Sequence, residues 1–283
     1  MNRTNIEYLD YTWNVTSGCS PISPGCHNCY ARRIATNRLR GRCGYDQDDP
    51  FKPTFHPERL TEPLKVRKPS RIGVSFMGDL FHERIAARDI AEVFDVMACA
   101  TLDCAKNHRE HEEECWTGEP HTFLILTKRP ERMRRFFEEE LPHEMEYWPG
   151  DRPLSIAMEV SWPLPNVWLG VTAENQAMAD LRIPILLSIP AARRWVSIEP
   201  CLEYINLRRI KIKPVPPGEP FAFLDWVALG GETGPGARLM NPEWARSVRD
   251  QCTEAGVPYF FKQMGRFWGA TPPDLMVREM PKC

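Results

Sequence analysis

Short apolar runs alternate with longer amphipathic stretches along most of this chain. The apolar runs predict strands over 8–13, 71–76, 122–127, 167–172, 194–198, 225–229 and 258–261. The amphipathic stretches predict helices over 29–40, 85–102, 130–140, 176–187 and 242–255. Because the apolar runs are continuous rather than alternating, each strand is expected to be buried on both faces, as in a parallel sheet.

The last predicted helix has the clearest boundaries. Asn241 is a favourable N-cap residue, and Pro242 suits the first helical position. Gly256 follows the final turn and can adopt the left-handed conformation that ends many helices. These three residues predict a helix from 242 to 255.

The repeated order of strand, polar loop and helix favours an α/β fold. We expect a single TIM-type βα barrel, partial or distorted, over residues 1–283, with a three-cysteine loop after the first strand. The regions near 41–70, 104–121 and 141–165 break the pattern and are expected to be irregular insertions.

Polar residues follow the predicted strands at the point where each strand ends. They are Asp79, Lys128, Glu174, Glu199, Glu232 and Lys262. In a βα barrel the functional groups collect at the carboxyl ends of the strands. We therefore expect these side chains to share one rim with the cysteine loop.

Four of these residues are candidates for catalysis: Asp79, Lys128, Glu199 and Lys262. Asp79 could bind ribose hydroxyls or a substrate amine, or it could simply cap the next turn. Lys128 and the neighbouring Arg129 could hold a carboxylate or phosphate, or form a solvated pair. Lys262 could bind an anionic substrate or neutralise a carboxylate on the rim.

An overlapping set is expected to contact a cofactor: Asp79, Glu174, Asn175, Gly230, Gly231 and Glu232. The glycine-rich segment that begins at Gly230 lacks the Lys-Ser/Thr signature of a P-loop. Its glycines fit either a tight turn with positive φ or a close approach of the backbone to a ligand.

Three cysteines lie on one short loop. Cys19, Cys26 and Cys29 are separated by six and then two residues, and two prolines and two glycines shape the segment from 18 to 31. Three thiolates can hold a metal centre and leave one coordination position open. This arrangement suits a [4Fe–4S] cluster with one open iron.

A structural zinc site is the alternative interpretation of these cysteines, with a fourth ligand such as His27, Cys43 or His56. A second metal site is conceivable in the charged segment that contains Cys104, His108, His111, Glu112 and Cys115. Charged runs of that kind are more often a solvated helix face. Cys99, Cys201 and Cys252 are expected to be buried small apolar residues.

The composition narrows the class of protein. The formal net charge of −2 gives no global reason for nucleic-acid binding, so any basic site must be local, for example around Arg32, Arg33 and Arg38. The chain has no run of 18 apolar residues and no secretory h-region at its start. We therefore expect a cytoplasmic protein without a membrane span, in which the ten cysteines are thiols or metal ligands.

Several segments together resemble a known family. They are Trp13-Asn14, Gly18-Cys19, Gly25-Cys26-His27-Asn28-Cys29-Tyr30-Ala31, Ser75-Phe76-Met77-Gly78-Asp79-Leu80-Phe81, Leu126-Thr127-Lys128-Arg129-Pro130-Glu131-Arg132-Met133, Trp168-Leu169-Gly170-Val171-Thr172-Ala173-Glu174-Asn175, Ser197-Ile198-Glu199-Pro200, Gly230-Gly231-Glu232 and Phe261-Lys262-Gln263. With them the chain resembles the phage three-Cys-motif proteins, a phage- and bacteria-associated radical-SAM-like family, and more distantly the radical SAM superfamily.

The resemblance implies an activity. It implies an iron–sulfur enzyme that binds a [4Fe–4S] cluster through Cys19, Cys26 and Cys29 and reductively cleaves S-adenosylmethionine to start radical chemistry. An electron donor of the flavodoxin or ferredoxin type would be needed. The phage association suggests a nucleic acid or nucleotide as substrate. The alternative is a non-catalytic nucleic-acid-binding protein that contains zinc or a cluster.

Overall fold

The computed structural model describes residues 1–100, 120–147, 163–210, 224–265 and 271–282. Its internal contacts divide the chain into two compact units. Unit one contains Met1–Ser20, Ala31–Leu169 and Ile189–Ala192. Unit two contains Pro21–Tyr30, Gly170–Ser188 and Arg193–Cys283.

Unit one contains both parallel and antiparallel strand pairs. The strands are β1 (Asn2–Arg3), β2 (Tyr11–Trp13), β3 (Thr16–Ser17), β4 (Thr54–Phe55), β5 (Arg71–Val74) and β6 (Thr122–Thr127). Strand β2 pairs in parallel with β5, and β5 pairs in parallel with β6. The short β1 is antiparallel to β2, and β3 and β4 form a separate antiparallel ribbon.

The described part of unit one has four helices, and an aromatic cluster forms at the second of them. They are α1 (Tyr30–Ile34, beginning at the last residue of a unit-two segment), α2 (Ala87–Cys99), α3 (Pro130–Arg135) and α4 (Leu141–Glu146). Phe94 of α2 stacks on Phe136 with the ring centroids 5.6 Å apart, and Phe81 lies 5.9 Å from the same ring. All three side chains are buried, so this cluster is part of the core of the unit.

Unit two repeats the parallel arrangement. Strand β7 (Val167–Thr172) ends in this unit and is followed by β8 (Arg193–Ile198), β9 (Trp226–Leu229) and β10 (Tyr259–Phe261). Strand β9 pairs in parallel with both β8 and β10. The helices are α5 (Gln176–Ser188) and α6 (Pro242–Ala255). The chain is therefore a mixed α/β protein with mostly parallel strand pairing.

Many predicted elements are confirmed. The strands over 122–127 and 167–172 have the predicted bounds, and the last helix begins and ends as predicted. The Asn241 side chain accepts a hydrogen bond from the backbone N–H of Glu243, and Gly256 adopts a left-handed conformation with φ of 67°. Cys201 and Cys252 are buried, as expected.

Other predictions were wrong in detail. The first predicted strand, β2, begins at residue 11 rather than 8, because a turn at residues 7–8 precedes it. Helix α2 ends at Cys99, three residues early, and Cys99 is only half-buried. The helix predicted over 29–40 is α-helical only in α1, and it continues as a π-helical turn over Ala35–Leu39. Two of the regions expected to be irregular contain regular elements: β4 lies in the region 41–70, and α4 lies in the region 141–165.

The segment with Cys104, His108, His111, Glu112 and Cys115 lies outside the described residues. Within the described part of the chain, no helix is both long and apolar enough to cross a membrane.

Candidate functional site

The cysteine loop follows strand β3. Cys19 belongs to unit one, whereas Cys26 and Cys29 belong to unit two. All three are half-buried thiols. Gly18 begins the loop with φ of +77°, and a Cβ atom there would lie 2.1 Å from the carbonyl oxygen of Lys52, so only glycine fits.

In unit one, the carboxylate of Asp79 joins the ends of two neighbouring strands. Its Oδ1 accepts hydrogen bonds from the Thr127 hydroxyl at 2.7 Å and the Phe81 N–H at 3.1 Å. Its Oδ2 accepts from the Lys128 N–H at 3.2 Å and from Arg129 Nη1 at 3.1 Å. The polar residues that end β5 and β6 therefore do meet, as parallel strands predict.

Arg129 connects this carboxylate to the cysteine loop. Its Nη1 lies 3.2 Å from the Cys19 Sγ, and its Nη2 donates to both the carbonyl and the hydroxyl oxygen of Ser20 at 3.0 Å. Burial lowers the pKa of the guanidinium, but the charges of Asp79 and Cys19 outweigh burial and raise it. Arg129 is therefore a fixed cation beside the Cys19 sulfur, where positive charge favours the thiolate.

His82 completes this cluster from the loop after β5. It is buried, with Nε2 2.9 Å from the Ser20 Oγ, and its Nδ1 accepts the Arg84 backbone N–H at 3.1 Å. Burial and the nearby charge of Arg129 lower the pKa of the imidazole, which is therefore neutral near pH 7.

A cavity of about 260 Å³ opens beside this cluster, entirely within unit one. Its lining residues are Cys19, Ser20, Arg32, Asp49, Phe51, Pro53, His82 and Arg84. This cavity is therefore bordered both by Cys19 and by two arginines.

In unit two, Glu174 holds the middle of the cysteine loop. This fully buried carboxylate accepts the backbone N–H of Gly25 at 3.0 Å and pairs with the buried Arg182 at 2.9 Å. Gly25 directly precedes Cys26, so the contact fixes the backbone at a cysteine. The next residue, Asn175, accepts the N–H of Met178 and caps α5.

Glu232 and its partner Arg238 each hold the same loop at one further point. Glu232 accepts a hydrogen bond from the Asn28 side-chain amide at 2.9 Å and pairs with Arg238, which also donates to the Pro24 carbonyl oxygen. Burial raises the pKa of this carboxyl, but the hydrogen bonds from Arg238 and Asn28 lower it more, to about 2. Glu232 is therefore an anchoring carboxylate that stays ionised at neutral pH.

The ends of β8, β9 and β10 converge in unit two. Glu199 pairs with Lys262 and accepts the Gln263 amide at 3.0 Å, and that amide also donates to the Gly231 carbonyl oxygen at 3.2 Å. Lys262 and Glu199 are both partly exposed. This pair can therefore meet a ligand while each charge keeps its partner.

The two glycines of this region have different constraints. A Cβ atom at Gly231 would lie 2.1 Å from the Met264 carbonyl oxygen, whereas at Gly230 the nearest atom is the flexible Gln263 amide at 3.1 Å. Positive φ occurs further on, at Gly234 and Gly236. Close backbone packing explains Gly231, rather than a left-handed turn.

Three thiols on one loop are the type of donor that a thiolate-ligated centre uses. Among the residues that the structure describes, no group of three or more His, Cys, Asp and Glu side chains is arranged to hold a metal ion. Of the zinc-ligand candidates, His56 is buried with Nε2 2.7 Å from Ser17 Oγ and Nδ1 3.4 Å from Glu58. Cys43 and His27 are exposed.

Sequence reasoning missed several members of these clusters. Ser20, His82, Arg84 and Arg238 were not among the predicted site residues, although Arg129 was noted beside Lys128. His82 follows the Asp79 strand end by three residues, and this position was the one available signal. Arg238 lies in a loop with no periodic pattern, so only the folded structure reveals it.

The fold and these clusters define a mixed α/β protein with a thiol-bearing loop anchored by buried charges. The chain belongs to the family described as "Protein of unknown function (DUF5131)", whose model matches residues 3–280. No curated protein and no solved structure matches the chain.

Proposed function

We propose that this protein is a radical-SAM-like iron–sulfur enzyme built on a partial βα barrel. Cys19, Cys26 and Cys29 would hold a [4Fe–4S] cluster with one open iron. Such a cluster supplies reductive cleavage of S-adenosylmethionine when an electron donor of the flavodoxin or ferredoxin type reduces it. The resemblance to phage-associated proteins makes a nucleic acid or nucleotide the proposed substrate.

One observation carries this proposal: buried charges are used to hold the backbone of a loop with three thiols. In unit two, Glu174 holds Gly25 and Glu232 holds Asn28. In unit one, Arg129 holds Ser20. Burying a charge is costly unless it is paired and hydrogen-bonded. Fixing this loop so firmly is what a preorganised ligand set requires.

The remaining polar residues have distinct proposed roles. Asp79 is a positioning residue, because its carboxylate oxygens accept hydrogen bonds from other groups of the protein. One of these bonds comes from Arg129 and orients that side chain. Arg129 would offset the negative charge of the thiolates. Lys128 in unit one is proposed to contact a ligand, since it is only partly buried. For the same reason the Lys262–Glu199 pair is proposed to do so in unit two.

The cluster is tested by metal analysis of single cysteine variants. Anaerobically purified protein should contain about four iron and four sulfide per chain and absorb near ~400 nm, as thiolate-ligated clusters do. Cys26→Ser should lose most of the iron because a ligand is removed. Cys43→Ser, which changes an exposed cysteine outside the loop, should keep it.

Two results would contradict this proposal. Stoichiometric zinc in a colourless protein would identify a structural zinc site instead. Equal iron in Cys26→Ser and the parent protein would refute the ligand assignment. If the cluster is present, the chemically reduced protein should release 5′-deoxyadenosine from S-adenosylmethionine. If it releases none, the protein binds an iron–sulfur cluster but does not cleave S-adenosylmethionine.

A further inference from the structure

Three side chains in the lining of the unit-one cavity can donate hydrogen bonds into it. Arg32 and Arg84 contribute two exposed guanidinium groups. Within the described residues, neither guanidinium forms an ion pair. Arg32 lies over the ring of Phe51, 5.2 Å from its centroid, which holds that cation at the cavity wall.

The Ser20 hydroxyl adds a third donor, and its direction follows from His82. The Arg84 backbone N–H points at His82 Nδ1, so Nδ1 is the acceptor and the ring proton is on Nε2. That Nε2–H then donates to the Ser20 Oγ, which already accepts from Arg129. With both acceptor positions of Ser20 used, its own proton is available to a group in the cavity that Ser20 lines.

The single acidic residue among the lining residues is Asp49, whose Oδ1 accepts the Phe51 N–H at 3.3 Å. Among the arginine and carboxylate side chains of the lining, two cations face one anion. Three donors from separate residues match an oxyanion that has at least three outward oxygens. A carboxylate has only two oxygens, whereas a terminal phosphate group has three such oxygens and carries more charge.

We propose that this cavity binds a phosphate group, with Arg32, Arg84 and Ser20 as its donors. The assignment of that phosphate to the substrate rests on the proposed function, because Cys19 lines the same cavity. The apolar surfaces of Phe51 and Pro53 leave room beside the donors for the sugar or base that carries the phosphate. The ligand is therefore the terminal phosphate ester of a nucleotide or of a nucleic-acid strand.

Binding is measured by isothermal titration calorimetry on the full chain, with inorganic phosphate, a 5′-mononucleotide, the matching nucleoside and a short 5′-phosphorylated single-stranded oligonucleotide as probes. Arg84→Gln and Arg32→Gln should each weaken phosphate-ester binding about tenfold, since each removes a charge-assisted hydrogen bond. Arg88→Gln, in an exposed pair with Glu92 outside the cavity, should leave binding unchanged. Asp49→Asn should tighten it severalfold by removing the opposing charge.

The probes separate the sources of the phosphate. Binding of the mononucleotide but not the nucleoside supports the proposal, and much tighter binding of the oligonucleotide identifies a strand as the source. Absence of phosphate-ester binding, or equal loss in Arg84→Gln and Arg88→Gln, overturns it. Repeating the titration with Cys26→Ser keeps the two proposals apart, because phosphate binding that survives loss of iron supports the cavity independently of the cluster.

Discussion

The ion pair between Arg129 and Asp79 is buried in unit one. Both side chains are less than a tenth exposed, and each is also hydrogen-bonded to other groups. Removing one partner of a buried pair leaves an uncompensated charge, which typically costs 3–5 kcal/mol. We expect Arg129→Gln to lower the free energy of unfolding by about 3 kcal/mol, measured by urea denaturation followed by tryptophan fluorescence.

Arg88→Gln is the matched control for that variant. It removes an arginine from a largely exposed pair with Glu92 on α2, where the expected cost is below about 0.5 kcal/mol. Equal unfolding midpoints for Arg129→Gln and Arg88→Gln would show that the Arg129–Asp79 pair does not stabilise the fold.

Glu232 should make the protein sensitive to acid. Its pKa is about 2 in the folded protein against an ordinary value of 4.5, so the unfolded chain binds an extra proton between these two pH values. The stabilisation from Glu232 is complete above pH 4.5 and is lost as the pH falls towards 2, with a slope of at most about 1.4 kcal/mol per pH unit.

Acid titration of unfolding, followed by circular dichroism, measures this effect. Glu232→Gln should reduce the pH dependence of stability in that window by up to one proton. Glu243→Gln, at an exposed position on α6, should leave it unchanged. An identical acid transition in Glu232→Gln and the parent protein would rule out this linkage.

At the level of elements, alanine substitutions at the adjacent glycines Gly230 and Gly231 should differ in their cost to stability. In Gly231→Ala the new methyl group would overlap the Met264 backbone, which cannot move without disturbing the end of β10. Overpacking of this kind costs about 3 kcal/mol. In Gly230→Ala the methyl group meets only a flexible side chain, so the expected cost is below about 1 kcal/mol.

Thermal and urea unfolding of the two glycine variants test this difference. If the Gly231→Ala protein were as stable as the Gly230→Ala protein, the backbone near Met264 would have to shift at little cost to accept the methyl group. The result also bears on the site, because the Gly231 carbonyl oxygen helps to hold Gln263 against Glu199.

The elements themselves were largely predictable because their signals are local. Buried parallel strands require continuous apolar runs, and helix ends require caps, so β6, β7 and α6 followed directly from the sequence. The short strands β1, β3 and β4 were missed. They contain two residues each, too few to show a period, and β3 and β4 exist through pairing between distant segments.

On the scale of the whole molecule, membership of the DUF5131 family covers nearly the entire chain but assigns no activity. The proposed chemistry therefore depends on features of each unit taken separately. Unit one combines Cys19 with a cationic cavity, and unit two anchors Cys26 and Cys29 through buried carboxylates. Metal analysis tests the thiols, and phosphate binding tests the cavity.

The sequence by itself determined the α/β class, the bounds of β6, β7 and α6, and the positions of the three thiols. It could do so because apolar periodicity and residue spacing are properties of neighbouring residues. Only the tertiary structure decided what the strand-end residues do. Glu174 and Glu232 hold the backbone of the cysteine loop, and Asp79 orients Arg129. These contacts join residues 50 to 204 positions apart, and no local pattern encodes which distant donor a buried carboxylate will meet.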